Sequence, residues 1–159
     1  MCDSKGLITK SRNDINKYKQ EFARNGAAVS LSAAIRDCDV FIGVSAPGVL
    51  TPTMVKSMAK DAIIFAAANP VPEIMPDVAK KAGARIVATG RTDFPNQVNN
   101  VLGFPGIFRA ALDTRSSTIN NAMKIAAAQA LADLTNEPIT GKIKKILEKA
   151  YPQDAKNGV

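Results

Sequence analysis

The sequence has no apolar run approaching the ~20 residues that a membrane-spanning helix requires, so it offers no membrane span. Its opening, MCDSKGLITK, has the pattern of neither a secretion signal nor an amphipathic transit peptide. The two cysteines, Cys2 and Cys38, lie in unrelated contexts and make no metal-binding spacing. They read as reduced thiols in a cytoplasmic protein. Histidine is absent, aromatic residues are only 5% of the chain, and the formal net charge is +7. A basic excess points to nucleic acid only when it forms a patch with stacking aromatics. Here the basic residues are spread along the chain, with one concentration at Lys142, Lys144, Lys145 and Lys149. Ile143, Ile146 and Leu147 fall opposite them, as on a short terminal helix with one solvated face. No nucleic-acid partner is expected.

The 159 residues suffice for one domain with a single core, without disulfide or metal support. Short apolar runs alternate with helical patterns. Residues 15–24 read as an amphipathic helix with Ile15, Tyr18 and Phe22 on one face. Ser30 or Ser32 can cap a short helix carrying Ala33, Ala34 and Ile35. Residues 40–44 form a β-rich run expected as a buried strand. Thr51 followed by Pro52 opens a helix through Met58. A second strand is expected over 61–67, ended by Asn69-Pro70, then a helix from Pro76 to the stop at Gly83, then a third strand over 85–89. After Gly90 a polar loop gives way to an Ala-rich helix over about 118–134. Strands separated by helices imply βαβ units and a parallel sheet, with a doubly wound open sheet as the leading fold.

In such a sheet, ligands bind beyond the carboxyl ends of the strands. The apolar runs end in residues suited to that: Cys2-Asp3-Ser4 at the start, Ser45-Ala46-Pro47-Gly48, Asn69-Pro70, and Gly90. Each alone is ordinary loop chemistry. Their recurrence at successive strand ends points to a nucleotide-binding edge.

The segments DSKGLI, GVSAPGVLT, FAAANPVPEI and ATGRTDFPNQVNNVLGFPGIFRAALD, in this order, resemble the nucleotide domain of the malic enzymes. The likeness covers residues 3–134, and 88–113 is its most specific part. It implies an incomplete Rossmann-like doubly wound sheet over 1–134 and a helical tail over 135–159. It also implies oxidative decarboxylation of malate to pyruvate and CO2 with NAD, NADP being possible, and with Mg or Mn in the parent enzyme. Carried over by residue, Asp3 and Ser4 would meet the adenosine ribose, and Asp3 could equally cap the turn before Gly6. Val44, Ser45, Ala46 and Pro47 would line the middle of the dinucleotide. Asn69 would sit by the nicotinamide ribose and substrate, and Asn99 and Asn100 would hold the malate carboxylates. The amide NH2 donates to a carboxylate; turn and cap chemistry is the competing role for these two residues. Assembly as a homodimer or larger is implied.

Three features of the family are missing. No Gly-x-Gly-x-x-Gly turn occurs, although it should immediately precede Asp3. No two acidic residues are adjacent, whereas the family's metal is held by three carboxylates of which two adjoin. The family's general acid Tyr and general base Lys match neither Tyr18, Tyr151 nor any lysine here. No catalytic proton-transfer residue and no metal ligand are therefore assigned. The chain is expected to begin just after the glycine-rich turn and to be inactive alone, with the strand at 40–44 left on an open edge. A truncated interaction module, or a domain of another nicotinamide-dependent dehydrogenase, stays open as an alternative.

Overall fold

Three strands in the middle of the chain pair in parallel, and their order in space follows their order in sequence. The computed structural model describes residues 1–135 and, beyond them, 141, 145 and 149. The Lys142 cluster and the tail therefore lie largely outside the described residues. The chain forms two compact units, Met1–Asn99 and Asn100–Val159. Among the described residues, no helix is long and apolar enough to cross a membrane.

The first unit starts with a hairpin of β1 (Cys2–Asp3) and β2 (Gly6–Leu7), followed by α1 (Lys17–Gln20) and α2 (Leu31–Ala34). Then come β3 (Val40–Gly43), α3 (Pro52–Lys56), β4 (Ile63–Ala66), α4 (Pro76–Lys81) and β5 (Ile86–Thr89). Local chemistry sets the boundaries. The Ser30 hydroxyl accepts from the Ala33 N–H and the Thr51 hydroxyl from the Met54 N–H, each at 3.3 Å, satisfying donors that the first helical turn leaves open. Pro52 and Pro76 occupy first-turn positions where no N–H is needed. Gly83, at φ 108°, reverses the chain after α4.

The sheet order is β3-β4-β5. Phe41, Ile64 and Val87 stand level on one face and are buried with Val55, Met58, Ala79 and Ala82 from the α3 and α4 regions. The opposite face is different. Val40, Ile42 and Ile86 are exposed, so the 40–44 run is a half-exposed edge strand rather than a buried one. Its continuous apolar composition concealed the alternation, because both faces carry β-branched or aromatic residues.

The N-terminal region also departs from expectation. The helix expected over 15–24 shrinks to one turn, Lys17–Gln20, capped by Asn16, and Tyr18 and Phe22 are exposed. Three matched positions do not make a buried stripe when no apolar surface faces them. β1 does not join the parallel sheet; it folds back antiparallel on β2. Gly6 permits this, since a Cβ there would meet the Val29 carbonyl oxygen at 2.4 Å and its φ is 95°.

The second unit holds a 3-10 turn, Asn100–Leu102, then α5 (Phe104–Asp113) and α6 (Asn121–Leu134). α5 lies where a polar loop was expected. Its Gly103, Pro105 and Gly106 read as loop residues, yet Pro105 falls in the first turn, where it is tolerated. α6 is capped by Asn120, whose side-chain oxygen accepts from the Met123 N–H at 3.0 Å.

The two faces of the sheet give a direct stability contrast. Ile64→Ala, at a fully buried position, is expected to cost about 2–5 kcal/mol. Ile42→Ala, at a position 70% exposed, is expected to cost under about 0.5 kcal/mol. Urea unfolding of the two variants checks this, and equal losses would place both side chains in one core.

Candidate functional site

In a parallel sheet all carboxyl ends emerge on one edge, and here the three ends are level. Gly43 pairs with Ala66 and Ala66 with Thr89, the last residues of their strands. The segments leaving this edge are Val44-Ser45-Ala46-Pro47-Gly48, Ala67-Ala68-Asn69-Pro70 and Gly90-Arg91. Val44, Ser45, Ala46, Pro47 and Asn69 are all exposed there. The Asn69–Pro70 peptide bond is cis. Small side chains on the first segment leave its backbone open to close approach by a ligand.

A buried carboxylate joins two of these segments. Glu73 Oε1 accepts the Ser45 N–H at 2.8 Å, and Oε2 accepts the Ala68 N–H at 3.0 Å. Glu73 is fully buried, and its side chain passes over Gly43, where a Cβ would meet its Cδ at 2.5 Å. The backbone adds to the connection: Gly48 N–H donates to the Pro72 carbonyl and Leu50 N–H to that of Glu73.

The third segment is held from its other side. Residues 97 and 98 run beside the end of β5, with the Val98 N–H donating to Thr89 O at 2.7 Å. The buried Thr89 hydroxyl accepts from the Arg91 N–H at 3.2 Å. Asn96 and Asn99 donate their side-chain amides to Val87 O and Gly90 O, at 3.2 and 3.3 Å. Asn99 thus reaches the sheet's carboxyl edge. Asn100 begins the 3-10 turn of the second unit.

Asp3 and Ser4 belong to the hairpin rather than to this sheet, so three strand ends, not four, share the edge. Asp3 is enclosed by cations. Arg12 Nη1 and Nη2 donate to its two oxygens at 2.8 and 2.9 Å, and Lys19 Nζ to Oδ2 at 3.0 Å. The Lys5 N–H also donates to Oδ1, the turn-capping contact that stood as the alternative to ribose binding for this residue. The Arg12 guanidinium, then the Lys19 ammonium, hold the Asp3 carboxyl well below the usual carboxylate range. Arg12 and Lys5 do the same to Asp14.

A cavity of about 580 Å3 lies in the second unit, lined by Leu102, Ile107, Ala110, Met123, Ala127 and other apolar residues of α5 and α6. Among the described residues its lining includes none of the strand-end residues and no polar side chain to orient a ligand. Among the described residues, no three His, Cys, Asp or Glu side chains cluster as a metal site would require.

The sequence reading missed Glu73 and Gly43. A single acid inside the apolar run Val71-Pro72-Glu73-Ile74-Met75 was the available signal, since an acid is rarely buried without partners. It also missed the Arg12 and Lys19 partners of Asp3, whose meeting depends on the hairpin.

The family model described as malic enzyme, NAD binding domain, matches residues 1–152. The bifunctional malic/malolactic enzyme of Bacillus subtilis (strain 168) is 60% identical over 142 residues, which are 86% of this chain and 35% of that protein. The NADP-dependent malic enzyme of Halomonas elongata is 49% identical over 98% of this chain and 36% of its own. Among solved structures, the NAD-dependent malic enzyme of Thermotoga maritima superposes with a TM-score of 0.75 at 42% identity, covering 89% of this chain and 38% of that one. The chain therefore spans about a third of the length of these relatives.

The Asp3 cluster makes a pH prediction whose sign is fixed by the depressed carboxyl. Such a group contributes stability above its unfolded value, about 3.9, and loses it as pH falls through the lower folded value. The hairpin contacts should therefore be unchanged from neutral pH down to about 4. Arg12→Ala should raise the Asp3 titration toward the ordinary value, as followed by carboxyl carbon NMR. An unmoved midpoint would mean that the bidentate pair does not form.

Proposed function

Because this chain belongs to the malic-enzyme NAD-binding domain family, we propose that its level strand ends bind the dinucleotide used in oxidative decarboxylation of malate to pyruvate and CO2. The supporting observation is the convergence of Ser45, Ala46, Pro47, Asn69 and Gly90 on one carboxyl edge of a parallel sheet. When bound, the nicotinamide supplies the acceptor for the hydride that leaves malate. The chain's own residues bind and orient. Ala46 and Pro47 let the backbone approach the middle of the dinucleotide, Val44 and Ser45 border it, and Asn69 meets the nicotinamide ribose and the substrate. Asn99 and Asn100 donate amide N–H groups to the malate carboxylates, the Asn99 amide being oriented by Gly90 O.

NAD is the cofactor proposed first, with Asp3 and Ser4 at the adenosine ribose. NADP is the second reading, supported by the cations on Asp3: Arg12 and Lys19 offset the negative charge that would repel a 2′-phosphate. The relatives carry both names, NADP-dependent in Halomonas elongata and NAD-dependent in Thermotoga maritima. Among the described residues no three His, Cys, Asp or Glu side chains come together to hold the Mg or Mn of the wider family. No proton-transfer residue is assigned to this chain either. A homodimeric, cytoplasmic parent enzyme is part of the same proposal.

Two outcomes test this reading. Ala46→Leu should weaken NAD binding by about tenfold or more, roughly 1.4 kcal/mol, because the added side chain blocks the close approach. Isothermal titration calorimetry measures it, and an unchanged Kd would remove this loop from the site. The unaltered 159-residue chain should give no steady NAD reduction with malate and Mn2+. Sustained turnover by protein free of contaminating enzyme would show that it holds its own acid and base.

A further inference from the structure

The segments proposed above to line the cofactor come from two different strands, and sheet hydrogen bonding ends with the Ala67 N–H donating to Gly43 O at 3.0 Å. The next backbone bonds between them lie further out, where the Gly48 and Leu50 N–H groups donate to the Pro72 and Glu73 carbonyls. The Glu73 side chain fills the interval. Its two oxygens take one N–H from each segment, Ser45 and Ala68, so the carboxylate bridges the continuations of β3 and β4 two residues past the last pair of the sheet. The side chain reaches that position only because Gly43 has no Cβ. A fully buried carboxylate is costly unless hydrogen-bonded, and a charged acceptor makes stronger bonds to backbone N–H than a neutral one. The two bonds therefore stand or fall as a pair with the carboxylate's position.

We propose that Glu73 is a positioning residue: it locks the 44–48 and 67–70 segments into one unit, and through that unit it sets the affinity of the site for the nicotinamide dinucleotide. The second half rests on the cofactor reading above; the first does not. Glu73 does not touch the cofactor. It fixes the backbone of Ser45 and, one residue before Asn69, that of Ala68.

The test uses amide hydrogen exchange, by NMR, of the uniformly labelled 159-residue chain. In the unaltered protein the Ser45 and Ala68 amides should be strongly protected, whereas that of Ala46 should exchange freely. Exchange at Ser45 or Ala68 as fast as at Ala46 would overturn the lock with no substitution needed. Glu73→Met, of similar length but without a carboxylate, should speed exchange at both amides by about tenfold or more. Glu73→Gln keeps one acceptor oxygen and should fall between the two. Protection at Ile64 and Val87 should stay constant and shows that the sheet is intact. NAD affinity, by calorimetry, should fall in the same order: Glu, Gln, Met. Unchanged exchange in Glu73→Met would overturn the lock. Altered exchange with unchanged NAD affinity would overturn the positioning role. If the unaltered chain shows the expected exchange but binds no NAD, the cofactor reading fails and the lock between the segments stands.

Discussion

A carboxylate buried at the end of a parallel sheet is the constraint on which the site geometry rests. Glu73 has lost its hydration, and only the Ser45 and Ala68 N–H groups replace it among the described residues. Both donors lie just past the last paired residues, where a parallel sheet would otherwise leave its strands to diverge. Three features follow from accommodating that group. Gly43 must lack a side chain, the 48–50 and 72–73 backbones must run close enough to bond, and the segment before Pro76 must turn back over the sheet edge. The small residues Ser45 and Ala46 then lie on a backbone that is already fixed, so that a ligand does not have to order it.

The rest of the first unit sets that edge in place. The level register of Gly43, Ala66 and Thr89 depends on one face of the sheet packing on α3 and α4 through Phe41, Ile64 and Val87. The opposite face, with Val40, Ile42 and Ile86, is exposed in this chain. The relatives are about three times as long as the stretch they share with it. At the hairpin, electrostatics takes the place of packing. Asp3 has a side chain only 16% exposed and is balanced by Arg12 and Lys19, so its charge is largely compensated locally.

Much of this could be read from sequence, and the failures have physical causes. The three parallel strands were legible from β-rich runs bounded by Gly, Asn and Pro, and their ends matched within about two residues. Capping by Thr51, and by one of Ser30 and Ser32, was legible because it is local, and the fold selects Ser30. The family was legible from the 88–113 segment. The hairpin was not, because a strand of two residues has no periodicity, and its geometry depends on Gly6 fitting beneath Val29. α5 was hidden by Gly103, Pro105 and Gly106, which mark loops except in a first turn. Of the site, Ser45, Ala46, Pro47, Asn69 and Asn99 do come to one edge, whereas Asp3 and Ser4 lie in the hairpin. Glu73 could be singled out as an acid in an apolar run, but its partners could not, because they are 28 and 5 residues away and only the fold brings all three together.

The carboxyl edge of the β3-β4-β5 sheet is the proposed site of the dinucleotide. The most direct measurement is a backbone chemical-shift map of the chain titrated with NAD. The largest shifts should fall on Ser45, Ala46, Gly48, Asn69 and Gly90, with Ile63 and Ile86 at the opposite ends of their strands unmoved. Shifts confined to residues lining the apolar cavity of α5 and α6, or none at saturating NAD, would contradict it.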